Sequence, residues 1–213
     1  MDIIYEDNWI IALNKQAGIP VQPDKTNDNS LFDNVKKHLG FEPYIINRID
    51  RPVSGIVIFS KTKESTKHFS RTIQNKETFK TYFAVTENIL EDNKGKLEDY
   101  LIKKNKKAYI TKNTTIGKKA ILDYEYFGKS INYHYYKITI KTGRFHQIRA
   151  QLANRTCCIT GDVKYGAKRS NKDRSIYLHA FSILFYHPFK KKQIIIKADF
   201  PDKSIWNDLK TKI

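Results

Sequence analysis

Two stretches in the middle of the chain alternate apolar and polar residues. They are Leu122-Asp123-Tyr124-Glu125-Tyr126 and Tyr136-Lys137-Ile138-Thr139-Ile140-Lys141. A repeat of two puts alternate side chains on opposite faces of an extended backbone, so each stretch predicts a half-buried β-strand. Further strands are expected at Ile3–Tyr5 and Trp9–Leu13, which form a hairpin through Glu6-Asp7-Asn8. Others are expected in the continuous apolar run Ile56–Phe59, over 80–86, and near 176–186 and 193–198. Helices are fewer. One follows Ser30, with a capping box to Asp33 and a stop at Gly40. A second covers 63–75, with Phe69 and Ile73 on one face, and a short one covers 145–154, with Ile148 and Leu152 on one face. Many strands, few helices and short connections predict an α+β fold on a large, mainly antiparallel sheet. No Pro/Gly/Ser-rich linker and no repeat interrupts the 213 residues, so a single domain over 1–213 is expected.

Charge narrows the partner. The formal net charge is +17, but residues 1–30 are net −3, so the remaining chain carries +20. Such an excess fits a polyanion such as nucleic acid. A lysine-rich solvated surface in a chain also rich in Asn and Ile is the other reading. The two cysteines, Cys157 and Cys158, are adjacent and no third is present, which fits a reducing cytoplasm. No apolar run approaches the length of a membrane-spanning helix, and no basic-then-apolar leader opens the chain. The six histidines are scattered, without H-E-x-x-H or C-x-x-C spacing, and neither a Walker loop nor a dinucleotide fingerprint occurs. No metal and no cofactor is therefore expected.

Three segments hold chemistry-bearing residues. In Asn47-Arg48-Ile49-Asp50-Arg51-Pro52-Val53-Ser54-Gly55, an aspartate lies between two arginines in a turning loop before an apolar strand. Adjacent guanidinium groups favour the ionised carboxylate, a candidate nucleophile; a surface turn aspartate is the alternative. In Phe79-Lys80-Thr81-Tyr82-Phe83, Tyr82 is either core or a ring for base stacking with a hydroxyl for proton transfer. In Thr142-Gly143-Arg144-Phe145-His146-Gln147-Ile148-Arg149, Gly143 would permit a tight turn, and His146 and Arg149 would share a helix face. That face suits anion recognition, or it is the solvated basic side of an amphipathic helix.

Taken in this order, the segments resemble the RluA-like family of RNA pseudouridine synthases. The family's central H-R-L-D-x-x-T-S-G-L-L is matched by Asn47 to Val57, and its G-R-x-H-Q-I-R occurs in full as Gly143 to Arg149. Lys80-Thr81-Tyr82 is similar to its K-x-Y, Asn14–Gly18 to N-K-P-x-G, and Gly161–Gly166 to G-D-x-x-Y-G. Leu178-His179-Ala180 with the later His187-Pro188, and Ala198–Pro201, are similar to the closing motifs. Asn47, Ile49, Val53 and Gln16 stand where the family usually has His, Leu, Thr and Pro.

The resemblance implies a long mixed, mostly antiparallel sheet flanked by helices, carrying a basic cleft. It implies an isomerase that breaks the bond from uracil N1 to ribose, turns the base and rejoins it through C5, without metal or redox cofactor. Asp50 is then the catalytic carboxylate, Arg149 its ionic partner, and Tyr82 the residue that packs on the uracil. Arg48, Arg51, Lys80, Arg144 and His146 are expected to serve RNA binding, His146 and Arg144 either at phosphate or in support of the site. The expected partner is a stem-loop of ribosomal or transfer RNA. The chain is expected to be a monomer without a separate N-terminal RNA-binding module. A non-catalytic RNA-binding protein on the same fold, or a carboxylate-dependent nucleosidase, would be the competing readings.

Overall fold

The computed structural model describes residues 1–75 and 77–213. In chain order the elements are β1 (Ile3–Glu6), β2 (Ile10–Lys15), α1 (Leu31–Leu39), β3 (Tyr44–Ile45), β4 (Ser54–Ser60) and α2 (Lys63–Gln74). There follow β5 (Phe79–Thr86), β6 (Lys94–Lys104), β7 (Lys107–Thr111), β8 (Lys118–Lys129), β9 (His134–Ile140) and α3 (Gln147–Ala153). A 3-10 turn at Val163–Tyr165 precedes β10 (Leu178–His187), β11 (Lys192–Lys197) and α4 (Ser204–Lys210). The class is α+β, with a large, mixed, mostly antiparallel sheet, as expected. The chain forms two compact units, one from Met1–Lys80 with Ala180–Pro201, the other from Thr81–His179 with Asp202–Ile213.

The first unit orders its strands β1-β2-β4-β10, with β11 on β10 and β3 on β4. All seven residues of β4 are buried, which explains why its sequence is continuously apolar and does not alternate. Ile10, Ala12, Ile56 and Ile58 pack under Phe69 and Ile73 of α2, and Ile11, Leu13, Val57 and Phe59 pack against Leu31 and Val35 of α1. The capping box from Ser30 to Asp33 and the left-handed stop at Gly40 both form. Gly55 is required by position: its φ is +111°, and a Cβ there would lie 2.2 Å from the Ala180 carbonyl oxygen of β10.

The second unit orders its strands β5-β9-β8-β6-β7. The alternation in β8 and β9 is realised, with Ala120, Leu122, Tyr124, Ile138 and Ile140 buried. The pair β6 and β7 has no counterpart in the sequence reading. Only Leu97, Leu101 and Ala108 of this hairpin are buried, and a spacing of four between Leu97 and Leu101 suits one face of a helix as well as one face of a strand. The α4 helix was likewise not expected. Its Trp206 is buried and its Asp208 accepts a hydrogen bond from the Tyr135 hydroxyl at 2.6 Å.

Candidate active site

The loop carrying Asp50 runs from β3 to β4 and is tied down on both sides. Before it, Asn47 behaves like a strand residue. Its Oδ1 accepts from the Ile58 amide at 2.7 Å and its Nδ2 donates to the Ile56 carbonyl at 3.2 Å. This is the function of the asparagine that replaces the family's usual histidine: it anchors the loop to β4. After Asp50, the Val53 amide donates to the Asp50 carbonyl at 3.0 Å, closing a turn across Arg51 and Pro52, and the Val53 side chain is buried.

From below, Lys15 at the end of β2 holds the loop. Its ammonium is buried and donates to three carbonyls, those of Gln16, Ile19 and Arg51, at 3.0, 2.9 and 3.1 Å. Burial pulls its pKa down to about 7, against the opposite pull of the Asp50 carboxylate. Three carbonyl acceptors match the three protons of an ammonium, so the charged form completes the hydrogen bonding. Lys15 belongs to the Asn14–Gly18 segment, but its sequence neighbours do not distinguish it as the base of the Asp50 loop.

Arg51 does not turn its guanidinium toward its neighbour in sequence. It donates to the Gly18 carbonyl at 2.8 Å, to Thr26 at 3.0 Å and to Asp24 at 3.4 Å, and it pairs with Asp28. The acidic N-terminal segment thus has a local use, stitching the 18–28 loop to the Asp50 loop. Arg48 donates to the Gln22 side chain at 2.9 Å. Lys80 is half-buried, and burial lowers its pKa. These residues all belong to the first unit.

Tyr82, Arg144, His146 and Arg149 belong to the second unit. Tyr82 is half-buried on β5. Of the two readings of this helix, the solvated basic side is excluded, since Gln147 through Leu152 are all buried. Arg149, 5% exposed, is gripped by Asp162, 1% exposed: Nε donates to Oδ2 at 2.7 Å and a terminal nitrogen to Oδ1 at 2.8 Å. This bidentate pair fixes the guanidinium plane. The Tyr165 ring lies beneath it, with its centroid 5.0 Å from the guanidinium carbon. Asp162 and Tyr165 both fall in the G-D-x-x-Y-G segment, whose spacing alone does not reveal that its acid and its ring hold Arg149.

His146 does not share a helix face with Arg149. It sits at the N-cap in the left-handed region, φ 51°, ψ 27°. Gly143 has no left-handed backbone and open space around it, so the turn is made at His146. Gln147 holds that turn: its Oε1 accepts from Thr142 at 2.7 Å and from the Arg144 amide at 3.0 Å, and its Nε2 donates to the Ile121 carbonyl at 3.0 Å. Arg144 itself donates to the Lys119 carbonyl at 2.9 Å.

The Tyr165 hydroxyl accepts from the Ala108 amide at 2.7 Å and lies 2.9 Å from His146 Nδ1. A neutral imidazole with its proton on Nε2 can accept the hydroxyl's proton at Nδ1. Burial, then the nearby charges of Arg149 and Lys164, depress its pKa to about 3. His146 is therefore a spacer in the wall and not a cation for phosphate.

Among the described residues no group of three or more His, Cys, Asp or Glu side chains is arranged to hold a metal ion, and no helix is long and apolar enough to cross a membrane.

Residues 9–154 match the family described as RNA pseudouridylate synthase. The chain is 30% identical over 220 residues to the ribosomal large subunit pseudouridine synthase C of Buchnera aphidicola subsp. Baizongia pistaciae, an alignment covering 97% of this chain and 70% of that protein. It is 28% identical over 233 residues to the tRNA pseudouridine synthase C of Vibrio vulnificus, covering 98% and 94%. In fold it is similar to human RNA Pseudouridylate Synthase Domain Containing 4, with a TM-score of 0.78, 16% identity, and coverage of 99% and 92%. With the family matched over more than half its length and a relative at this identity, the chain belongs to the RluA-like RNA pseudouridine synthases, enzymes that isomerise uridine in RNA.

Proposed function

We propose that this enzyme converts specific uridines of ribosomal or transfer RNA to pseudouridine, with Asp50 as the carboxylate that starts the reaction and Tyr82 and Arg149 as its partners. The observation that carries the reading is the fixing of the Asp50 loop through three hydrogen bonds, two between Asn47 and the β4 backbone and one from the buried Lys15 ammonium to the Arg51 carbonyl. A reacting carboxylate needs such preorganisation; a surface turn aspartate does not. Two relatives named for ribosomal and for transfer RNA support both substrate classes.

In this reading the target uridine leaves its stack, at a cost of a few kcal/mol that phosphate contacts from lysines and arginines offset. Asp50 acts on the ribose, as nucleophile or as base on a ribose proton, and the bond from N1 to C1′ breaks. The uracil turns and C5 bonds to C1′. The proton lost from C5 is balanced by the one gained at N1, so nothing is consumed and no cofactor is called for. Tyr82 packs on the uracil and assists the proton's departure from C5. Arg149, its plane set by Asp162, supports the Asp50 carboxylate. Arg48, Arg51, Lys80 and Arg144 serve RNA, of which Arg51 does so through the loop it stitches. The chain is read as a single catalytic domain over 1–213, acting as a monomer in the cytoplasm.

Carbodiimide mapping of pseudouridine in total RNA, from cells with and without the gene, tests this. Loss of one or a few sites names the substrate; loss of sites in neither RNA class, in cells without a second enzyme of the family, overturns the assignment.

A further inference from the structure

The family-typical segment Gly143–Arg149 carries a phenylalanine at its variable position, and the surroundings of that ring are unlike a core residue's. Phe145 is 40% exposed. One face is covered by the neutral His146 imidazole, stacked at 3.8 Å between centroids and 19° between planes. A ring stacked that closely leaves no room on its own side, so the Lys103 ammonium, 4.6 Å from the Phe145 centroid, sits over the other. Lys103 comes from the β6–β7 hairpin, which is bound to the same wall through the Ala108 amide and the Tyr165 hydroxyl. Lys107 of that hairpin lies over Tyr165 at 4.9 Å and over Tyr109, 43% exposed, at 5.5 Å.

The hairpin is strongly basic. Residues 94–119 contain nine lysines against Glu98 and Asp99. Its two-residue turn, Asn105-Lys106, is left-handed at both positions, with φ of 46° and 58°. Glycine is the usual second residue of such a turn. A lysine held there, with an exposed side chain, keeps a charge at the tip despite an unfavourable backbone, which is the pattern of a functional surface.

Resting on the RNA substrate proposed above, we infer that Phe145 is a stacking platform for an unpaired base of the substrate, flanked by phosphate contacts from Lys103, Lys106 and Lys107. The exchange is favourable. An arriving base displaces only an exposed cation–π contact and gains a stacking contact worth more, while the displaced Lys103 ammonium moves onto a phosphate. His146, neutral, half-buried and held at Nδ1 by the Tyr165 hydroxyl, gives the platform a back. The chain would thereby prefer single-stranded or looped RNA near its target uridine.

The test measures binding of the full chain to a fluorescein-labelled oligouridylate and to a matched, fully paired RNA duplex by fluorescence anisotropy. Phe145→Ala and Phe145→Leu, the second keeping bulk without the ring, should each weaken the single strand by about 5- to 100-fold and leave the duplex unchanged. Phe145→Trp should bind the single strand at least as tightly as the original. Equal single-strand affinity in Phe145→Leu and the original chain, or equal losses on both RNAs, would overturn the stacking role. Isomerisation by the original chain, assayed in parallel on total RNA, separates the two proposals: absence of product counts against the function, and an unchanged Phe145 variant counts against the platform alone.

Discussion

Arg149 and Asp162 meet through two parallel charge-assisted hydrogen bonds, of 2.7 and 2.8 Å, with almost no solvent contact on either side chain. Removing one partner of such a pair strands a buried charge. Asp162→Ala should therefore destabilise the protein by about 3–5 kcal/mol, read as a lower urea midpoint, and should abolish activity. The double variant Asp162→Leu with Arg149→Met removes both charges and should recover most of that stability. It should remain inactive; activity in the recovered double variant would remove Arg149 from the chemistry.

Lys15→Met leaves the carbonyls of Gln16, Ile19 and Arg51 without their shared donor. Stability should fall by roughly 2–4 kcal/mol, and kcat should fall more than KM rises, because the loss is in the placing of Asp50 and not in RNA contact. The pH dependence has a definite sign. Burial lowers the folded-state pKa of Lys15 to about 7 from 10.5, so between these values the unfolded chain binds the proton more tightly. The Lys15 contribution to stability therefore rises with pH across that window, and Lys15→Met should lack the rise. Parallel stability curves for the two proteins from pH 7 to 10 would refute the burial of a titrating ammonium under the loop.

On the acid side, the first unit carries a pH-sensitive corner at Asp7, His187 and Lys190. The Phe189 and Lys190 amides donate to His187 Nδ1, so the proton sits on Nε2 and is donated to Asp7 at 3.0 Å. Burial lowers the His187 pKa below 6.5, so its stabilisation is lost as pH falls below that value. For Asp7, burial acts upward but hydrogen bonds from Lys190, the Trp9 and Ile10 amides and Tyr5 prevail, holding the carboxyl at about 2. Its contribution, on the order of 2 kcal/mol, is present above about pH 4 and lost toward pH 2. Thermal midpoints should thus decline in two stages, and Asp7→Asn should remove the lower one. A single stage, unchanged in that variant, would contradict the assignment.

Much of this was legible from residue order alone, and the reasons differ by element. The apolar run at β4 and the alternation in β8 and β9 are direct records of two-sided and one-sided burial. The caps at Ser30 and Gly40 are local chemistry and are equally visible. The β6–β7 hairpin was not, because its few buried residues are spaced ambiguously and its lysines mask the period. At the site, a motif could name Arg149 but not its burial: an arginine on a short helix reads as solvated unless the aspartate that compensates it, 13 residues later, is already known. The positive φ of His146 was hidden behind the glycine three residues earlier, which offered a more familiar explanation for the turn. Lys15 looked like one lysine among many, and only the three carbonyls around it distinguish it.

The central claim concerns the oxygen atoms of one side chain. Purified original and Asp50→Asn proteins, incubated with total RNA from cells lacking the gene, should bind that RNA equally well. The original chain should restore pseudouridine at the sites lost from those cells, detected by carbodiimide mapping, without releasing free uracil, while Asp50→Asn restores none. Restoration of those sites by Asp50→Asn at the original rate would contradict the account.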